Sequence, residues 1–319
     1  MTSRESAPSA LGDLAGGKAS RGGMPIGAVA RFVRAKPLGA FGLLVILAIL
    51  LTAVFAGSLA TRDPSRTDPI HRLQAPSARN YLGTDHLGRD IYSRIVFGAR
   101  VSAVVGPLAV LLATIVAFGL GAIPGFLGGR TDFVTQRCLD VLISFPPIVV
   151  LLSVVQVLTA TVHWPHSGLL SVGVPFQRGL YIVATLAAIL AFPMARVFRS
   201  GALTIRHLQY VEAAKAVGAS DGRLIGRHLL PNILPMVITL STATLGSAIL
   251  IEAAISYLGV GLPPDIPSWG LMLSEGRNYI AVALNITIWP GLAIGLTVFG
   301  FNMLGDAVRD VVDPRLRKG

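Results

Sequence analysis

Six long stretches of this sequence contain no Asp, Glu, Lys or Arg, and this feature limits what the chain can fold into. A helix needs about 20 apolar residues to cross the hydrocarbon core of a bilayer. The stretches are close to that length. They lie at residues 38–59, 101–126, 141–162, 179–195, 234–251 and 280–304. The sequence therefore predicts an all-α integral membrane protein with six transmembrane helices.

Composition supports a membrane protein over a soluble enzyme. Hydrophobic residues make up 53% of the chain and charged residues only 13%, about half the charged share of a soluble domain. The formal net charge of +11 alone could indicate a nucleic-acid binder, but the charges lie between the apolar stretches, which argues against that class. The single cysteine, Cys138, excludes an internal disulfide and a cysteine-based metal cluster.

The apolar stretches divide the chain into segments. The first stretch is too long for the apolar region of a signal peptide, and a polar leader precedes it, so we expect an uncleaved helix. The predicted segments are a partly disordered tail at 1–36, the first transmembrane helix at 37–61, an outer loop at 62–100, a five-helix core at 101–312 that includes a loop at 196–232, and a tail at 313–319.

The distribution of Lys and Arg predicts the orientation. Most of these residues lie on the side of the two termini and of loop 196–232, so the positive-inside rule places both termini and that loop in the cytoplasm. The outer loop is an exception because it is rich in arginine. These residues are Arg62, Arg66, Arg72, Arg79, Arg89, Arg94 and Arg100. Two explanations stay open: the loop binds a partner, or loops of this length are translocated regardless of charge.

Small residues predict helix contacts within the bundle. Gly121, Gly125 and Gly129 repeat every four residues near the end of the second stretch, and Gly291 and Gly295 repeat this spacing in the last stretch. Glycines at this spacing allow two helix backbones to approach closely.

The sequence lacks the usual internal energy sources for transport. None of the six stretches contains the ionisable residue near midplane that proton or sodium coupling requires. Residues 12–18 match part of a phosphate-binding loop, but Ala19 stands where Ser or Thr is needed. His163 and His166 flank Trp164-Pro165 with no carboxylate nearby, which favours an interfacial tryptophan over a metal site. We therefore expect no metal and no cofactor in this chain.

The loop between the fourth and fifth stretches has a distinctive local pattern. Residues 212–217 favour a short helix, and Gly218 suits the left-handed position that ends one. Ser220 or Asp221 can cap a second helix that runs to Leu230, where Pro231 discourages continuation without a kink. The pattern predicts a helix–turn–helix on the cytoplasmic surface.

The second of these helices is amphipathic. Leu224, Ile225 and Leu229 can face the bundle, while Arg223 and Arg227 share another face. A solvated connector or a DNA-reading helix–turn–helix would have similar features. The attachment of both ends to membrane helices and the small exposed residues favour a surface that docks into a partner.

Several motifs in the chain resemble those of ABC importer permeases. Glu212-Ala213-Ala214, Gly218 and Leu230-Pro231 resemble the EAA motif, and residues 227–232 resemble its form in the C-type subunits of the dipeptide/oligopeptide/nickel branch. His228 departs from the isoleucine of many members. The further matches are Leu82-Gly83-Thr84-Asp85-His86-Leu87-Gly88-Arg89-Asp90 with Ser93-Arg94, Gly98 and Arg100, then Ser144-Phe145-Pro146, and Pro267-Ser268-Trp269-Gly270. The resemblance covers residues 38–314.

The resemblance implies a fold, partners and a mechanism. It implies a MetI-like permease core in a bacterial inner membrane, paired with a second related permease subunit, two cytoplasmic ATPases and an extracytoplasmic solute-binding protein. This chain would not be an enzyme, since ATP hydrolysis would take place in the ATPase subunits. The ATPase-coupling residues would be Glu212, Ala213, Ala214, Gly218, Arg227, His228, Leu230 and Pro231. Glu212 would bind backbone amides or an arginine, and Pro231 would act as a hinge.

The outer segments have a separate predicted role. The residues on the side of the binding protein would be Asp85, Gly88, Arg89, Asp90, Arg94 and Trp269. The ion pairs of residues 85–100 could be internal or could involve that partner. The proline-rich segment after the fifth stretch could form a gate or an exposed loop, and the apolar Trp269 and Met272 favour a gate that packs on the bundle.

We therefore expect an importer subunit for short peptides. A nickel or other small-solute importer of the same branch is the nearest alternative. A passive channel or secondary carrier would need pore-lining or midplane charges, and a non-transporting scaffold would not explain the outer motifs.

Overall fold

The computed structural model describes residues 36–161 and 176–312, and the described residues from Leu38 onward belong to one unit. These residues confirm the predicted all-helical fold. Five helices are long and apolar enough to cross a membrane, or six if two helices joined at a sharp bend count as one span. Residues 1–35 of the predicted N-terminal tail, the C-terminal tail at 313–319 and the motif at residues 163–166 lie outside the described residues.

We number the longer helices in chain order. Helix α1 is Pro37–Val54, and a helical turn, Ala56–Leu59, follows it. Helix α2 runs from Ile91 to Leu127 and contains a π-helical turn at Phe118–Ala122. Next come α3 (Gly129–Ile143), α4 (Pro147–Thr161), α5 (Phe176–Arg206) and α6 (Gln209–Ala216). The last three are α7 (Asp221–Tyr257, with a π-helical turn at Ile225–Leu229), α8 (Trp269–Gly276) and α9 (Asn285–Val312).

The two ends of the bundle are built differently. At one end, residues 207–229 connect α5 to the long part of α7, and we call this segment the elbow and this end the elbow end. Residues 60–90 and α8 lie at the opposite end, which we call the far end.

Several helix boundaries differ from the prediction. Helix α2 begins at Ile91, so the last part of the predicted outer loop is helical, because Asp90 caps the helix by accepting a hydrogen bond of 2.9 Å from Ser93 N. Helix α7 continues past Ile251 to Tyr257, and α9 begins at Asn285 and not at residue 280.

The predicted third span is not one helix. Helices α3 and α4 meet at an angle of 87° at the break between Ile143 and Pro147. Two consecutive prolines, Pro146 and Pro147, explain the break, because each lacks a backbone donor and disfavours a helical conformation in the residue before it. The span therefore exists only as a bent pair.

Small side chains hold the core together. Helices α2 and α5 pack against each other through alanines spaced four residues apart, which allow the two backbones to approach closely. These alanines are Ala109, Ala113 and Ala117 on α2 and Ala187, Ala191 and Ala195 on α5, all fully buried. The same core includes apolar residues of α7 and of the elbow.

The predicted glycine contacts are confirmed for two of the three glycines of the first set, Gly121 and Gly125. Gly121 lies against the backbone of Ala195, and Gly125 lies against Arg199. In contrast, Gly129 and Gly295 have open space where a side chain would project, so neither marks a helix contact. The close approach of α2 and α5 therefore continues through the π-helical turn of α2.

Gly121→Ala should destabilise this interface. Its Cβ would overlap the carbonyl oxygen of Ala195, and a backbone atom cannot rotate away. We expect the free energy of unfolding to fall by about 1–3 kcal/mol, as for other overpacked cores. Thermal unfolding in detergent would measure the change.

Gly119→Ala is the matched control, since it lies in the same π-helical turn with no atom within 4 Å of the added Cβ. Equal melting temperatures for the two variants would contradict the predicted contact.

Candidate functional site

The first helix of the elbow ends as predicted at Gly218. Gly218 has a φ of +86°, the left-handed conformation that favours glycine. Ala219 N donates to Ala214 O at 3.0 Å, and Gly218 N donates to Lys215 O at 2.9 Å. This pair of hydrogen bonds is a Schellman motif, which satisfies the last carbonyls of α6 and reverses the chain.

The second helix of the elbow does not end at Leu230. Ser220 is extended, with its carbonyl accepting from Leu224 N at 3.0 Å, and the helix then passes through the π-helical turn into the long part of α7. Pro231 is the second residue after that turn. Because proline lacks a donor, the irregular turn just before it lets the helix continue past Pro231.

The two faces of the elbow are confirmed. Leu224 and Leu229 are fully buried, and Val211 from α6 is buried beside them in the core shared with the long helices. Ile225 is half-buried, while Arg223 and Arg227 are exposed. The apolar side chains therefore fix the elbow to the bundle and leave the charged face free.

The exposed surface of the elbow consists mainly of small residues. Glu212, Ala213, Ala216 and Gly218 are exposed, and Val217 has 90% of its surface exposed. The elbow therefore projects a small, partly apolar tip of a kind that fits a cleft.

The side chains of Glu212 and His228, both predicted to take part in ATPase coupling, differ in their contacts within the chain. The Glu212 carboxylate has no hydrogen bond within the described part of the chain, so its predicted binding of backbone amides or an arginine stays a prediction. The His228 ring lies 5.7 Å from the ring of Tyr210, between centroids, and so joins the two helices of the elbow. Leu230 is exposed.

Charged residues that the sequence analysis did not select brace the elbow end. Arg199 of α5 binds Asp132 of α3 through two hydrogen bonds, Nε to Oδ1 at 2.6 Å and Nη2 to Oδ2 at 2.7 Å. Lys215 of the elbow lies over the ring of Phe126 at 5.4 Å. The only feature of the sequence that could have indicated this ion pair is that Asp132 and Arg199 carry opposite charges and lie close to the ends of apolar stretches.

At the far end, four charged side chains form one buried ion-pair cluster. Arg89 Nε donates to Asp85 Oδ2 at 2.6 Å, and Arg89 Nη2 donates to Glu275 Oε2 at 2.6 Å. Arg94 Nη2 donates to the same Glu275 oxygen at 3.1 Å. Two guanidinium groups and two carboxylates therefore neutralise each other, and the ion pairs of this segment are internal.

The predicted turn before α2 positions this cluster. Asp85 Oδ1 accepts from Leu87 N at 2.8 Å and from Arg89 N at 2.9 Å. Gly88 has a φ of +77°, and a Cβ there would overlap the carbonyl of Asp68. Nearby, a hydrogen bond with His71 holds the pKa of the Asp68 carboxyl below its usual value.

Trp269 connects α8 to α2, which confirms that this segment packs on the bundle. Its Nε1 donates to Ile95 O at 3.0 Å, and its ring fills the space beside Gly98. Met272, one turn later, is also buried. Glu275, on the same helix, was missed in the sequence because it is distant along the chain from its arginine partners.

The far end also contains a group that resembles a metal site. Asp85, His86 and Glu275 offer ligand atoms within 4.8 Å of one another. The arginines already bind both carboxylates, so a divalent cation would be repelled by Arg89 and Arg94. The geometry thus does not favour metal binding.

One buried acidic residue of the described chain lies inside a long helix, contrary to the sequence expectation. Glu252 is buried near the far end of α7, where Ser256 Oγ donates to its Oε1 at 2.9 Å. The prediction ended the fifth span at Ile251 and so placed Glu252 outside it. The extra turns of α7 bring it inside.

Family models match most of the chain. Residues 95–318 match the binding-protein-dependent transport system inner membrane component. This range includes the elbow, α8 and all of α2 after its first turn. Residues 27–76 match the N-terminal transmembrane domain of oligopeptide transport permease C.

Individual relatives are similar over nearly their whole length. The dipeptide transport system permease protein of Alkalihalophilus pseudofirmus is 38% identical over 89% of this chain and 88% of the relative. The oligopeptide transport system permease protein of Bacillus subtilis is 35% identical over 91% of this chain and 90% of the relative. The glutathione transport system permease protein of Pectobacterium atrosepticum is 35% identical over 90% of each.

Glu275→Gln should destabilise the far end. It removes a charge shared by Arg89 and Arg94 and leaves an uncompensated positive charge in a buried cluster. Breaking a buried ion pair costs about 3 kcal/mol or more. Thermal unfolding in detergent should show a clearly lower melting temperature.

Asp140→Asn is the control, because it breaks an ion pair with Arg196 whose side chains are about half exposed. Exposed pairs contribute about 0–1 kcal/mol, so its melting temperature should change little. A larger loss for Asp140→Asn than for Glu275→Gln would contradict the assignment of the cluster as the main electrostatic contact.

Proposed function

Because the chain belongs to the family of binding-protein-dependent transport system inner membrane components, we propose that it is a permease subunit of an ATP-driven importer of short peptides. The names of the dipeptide, oligopeptide and glutathione relatives support a peptide as the solute. They favour a peptide over nickel.

The observation that carries this proposal is the structure of the elbow. Its tip is exposed and small, while Val211, Leu224 and Leu229 fix its base in the same core as α2 and α5. A force on the tip therefore moves the bundle, since a close-packed core transmits displacement and does not absorb it. We propose that this tip docks into an ATPase subunit and acts as a lever.

The proposed assembly contains one further permease subunit, two ATPases and a solute-binding protein. The ATPases supply the energy, and closure on ATP would switch the pathway between its two accessible states through the elbow. Unpartnered apolar side chains on α7, among them Leu234, Ile238 and Leu250, support contact with lipid and with the second permease subunit.

The proposed orientation places the elbow in the cytoplasm and the far end outside, in a bacterial inner membrane. The excess of Lys and Arg on the elbow side supports it. The Glu252 carboxylate does not favour a secondary carrier, since it lies near the far end of α7 in a hydrogen bond within the chain.

Gly218→Asp should uncouple the elbow without preventing membrane insertion. An L side chain at a φ of +86° strains the turn, and the carboxylate alters the exposed tip. The left-handed conformation costs an L residue about 1–2 kcal/mol, and the added charge lies on the docking surface, so solute-stimulated ATPase activity should fall severalfold. The assembled transporter in vesicles, with its ATPases and binding protein, is the system to measure.

Gly222→Asp is the matched control. Gly222 is exposed in the same elbow, has open space around it and lies in the first turn of a helix, where a carboxylate is favourable. It should retain most of the stimulation. Full stimulation in Gly218→Asp would remove the lever assignment.

Cysteine labelling should test the orientation separately. In a Cys138→Ala background, Val217→Cys should react with a membrane-impermeant maleimide only after the cells are permeabilised, whereas Arg79→Cys should react in intact cells. Both positions are exposed, so access to the compartment decides the result. The reverse pattern would overturn the orientation.

A further inference from the structure

A cleft of about 490 Å³ lies at the far end and is not part of the elbow or the ion-pair cluster. Its walls are the turn that follows α1, the first turns of α2 and the segment before α8. Gly57 and Ala60 leave it open on the α1 side, and Phe97 and Ile266 provide apolar walls.

Charges of both signs line this cleft without pairing to each other. Arg62 and Arg100 are the cations, and Asp63 and Asp265 are the anions. Arg100 is held by neutral groups: its Nε donates to Ala53 O at 2.9 Å, and its guanidinium carbon lies 4.8 Å from the centroid of Phe97. Among the described residues, no ion pair joins Arg62 or Asp265 to a partner.

These unpaired charges differ from those of the neighbouring cluster. Asp85, Arg89, Arg94 and Glu275 satisfy each other within the chain. A cleft that keeps two cations and two anions apart instead suits a ligand that carries both signs, because each end of a zwitterion finds an opposite charge.

The position of the cleft indicates whether its zwitterion is a lipid headgroup or a soluble molecule. Arg100 reaches the backbone of Ala53, in the last turn of α1, so the cleft lies where a membrane-spanning helix ends. Phe55 and Leu59, in the same turn of the chain as the lining residues Gly57 and Ala60, are 54% and 43% exposed. Helix α1 has the smallest buried share among the candidate spans, so this face of the bundle is peripheral.

We propose that the cleft binds the headgroup of phosphatidylethanolamine from the leaflet at the far end. Arg62 and Arg100 bind the phosphate, Asp265 binds the ammonium group, and the acyl chains lie along Phe55, Leu59 and the exposed face of α1. A soluble zwitterion would satisfy the charges but would leave these apolar side chains uncovered.

Lipid binding to the purified full-length chain would test this. The chain in detergent micelles is mixed with phosphatidylethanolamine, phosphatidylglycerol or phosphatidylcholine of identical acyl chains, and native mass spectrometry counts the bound lipid. We expect phosphatidylethanolamine to bind about tenfold more tightly than phosphatidylglycerol, which lacks the ammonium group. Phosphatidylcholine should also bind less, because its quaternary nitrogen has no N–H donor.

Two variants separate the two halves of the headgroup. Asp265→Asn should abolish the preference for phosphatidylethanolamine and leave phosphatidylglycerol binding unchanged. Arg62→Gln should weaken both lipids about equally, because both carry the phosphate. Arg79→Gln, an exposed arginine of the same loop outside the cleft, is the control and should bind as the unmodified chain does.

Any of the following results would overturn the proposal. Equal binding of the three lipids by the unmodified chain would exclude headgroup selection, and an equal loss in Arg79→Gln would show only a general effect of charge. Displacement of the lipid by glycerophosphoethanolamine would assign the cleft to a soluble phosphate ester, and displacement by a dipeptide would make it a solute subsite. The ATPase-coupling function does not enter this measurement, so either proposal can fail alone.

Discussion

Burial of Val211, Leu224 and Leu229 connects the elbow to the rest of the bundle, and the function proposed for this chain depends on that contact. Each fully buried apolar side chain contributes about 1.5–3 kcal/mol relative to an exposed one. The three lie in the same core as the alanine-lined contact between α2 and α5, so the elbow cannot shift without moving those helices. The exposed tip at Val217 is therefore rigidly attached and still free to bind a partner.

At the far end, electrostatic contacts hold a segment outside the long helices to the bundle. Asp85, Arg89, Arg94 and Glu275 join the turn before α2 to α8, where a purely apolar contact would be less specific in geometry. Burying these groups has a desolvation cost, which the multiple hydrogen bonds of the cluster offset. Trp269 adds an apolar contact and a directed hydrogen bond to Ile95, so α8 is held in one register against α2.

Local sequence patterns predicted most of the fold and the form of the elbow. Apolar stretches locate the helices because an exposed backbone in hydrocarbon must satisfy its hydrogen bonds within the helix, and Gly218 marks the turn because few other residues adopt a positive φ. The bend at Pro146 follows from two consecutive prolines, which a count of apolar residues does not register. The extension of α7 past Glu252 places a buried carboxyl group inside the helix, where a rule that ends a span at the first charged residue does not allow one. Glu275 was missed for a different reason: its partners are close in space and distant in sequence.

The arginines of the outer loop show why a charge count alone could not assign a role to this segment. Arg89 and Arg94 are neutralised within the protein, Arg100 is held by a carbonyl and an aromatic ring, and Arg79 is exposed. One segment thus contains structural charges beside charges with no partner in the described chain. Because an ion pair within the chain leaves little charge for a ligand, recognition at this end of the molecule falls to charges outside the cluster, among them Arg62 and Asp265 of the cleft.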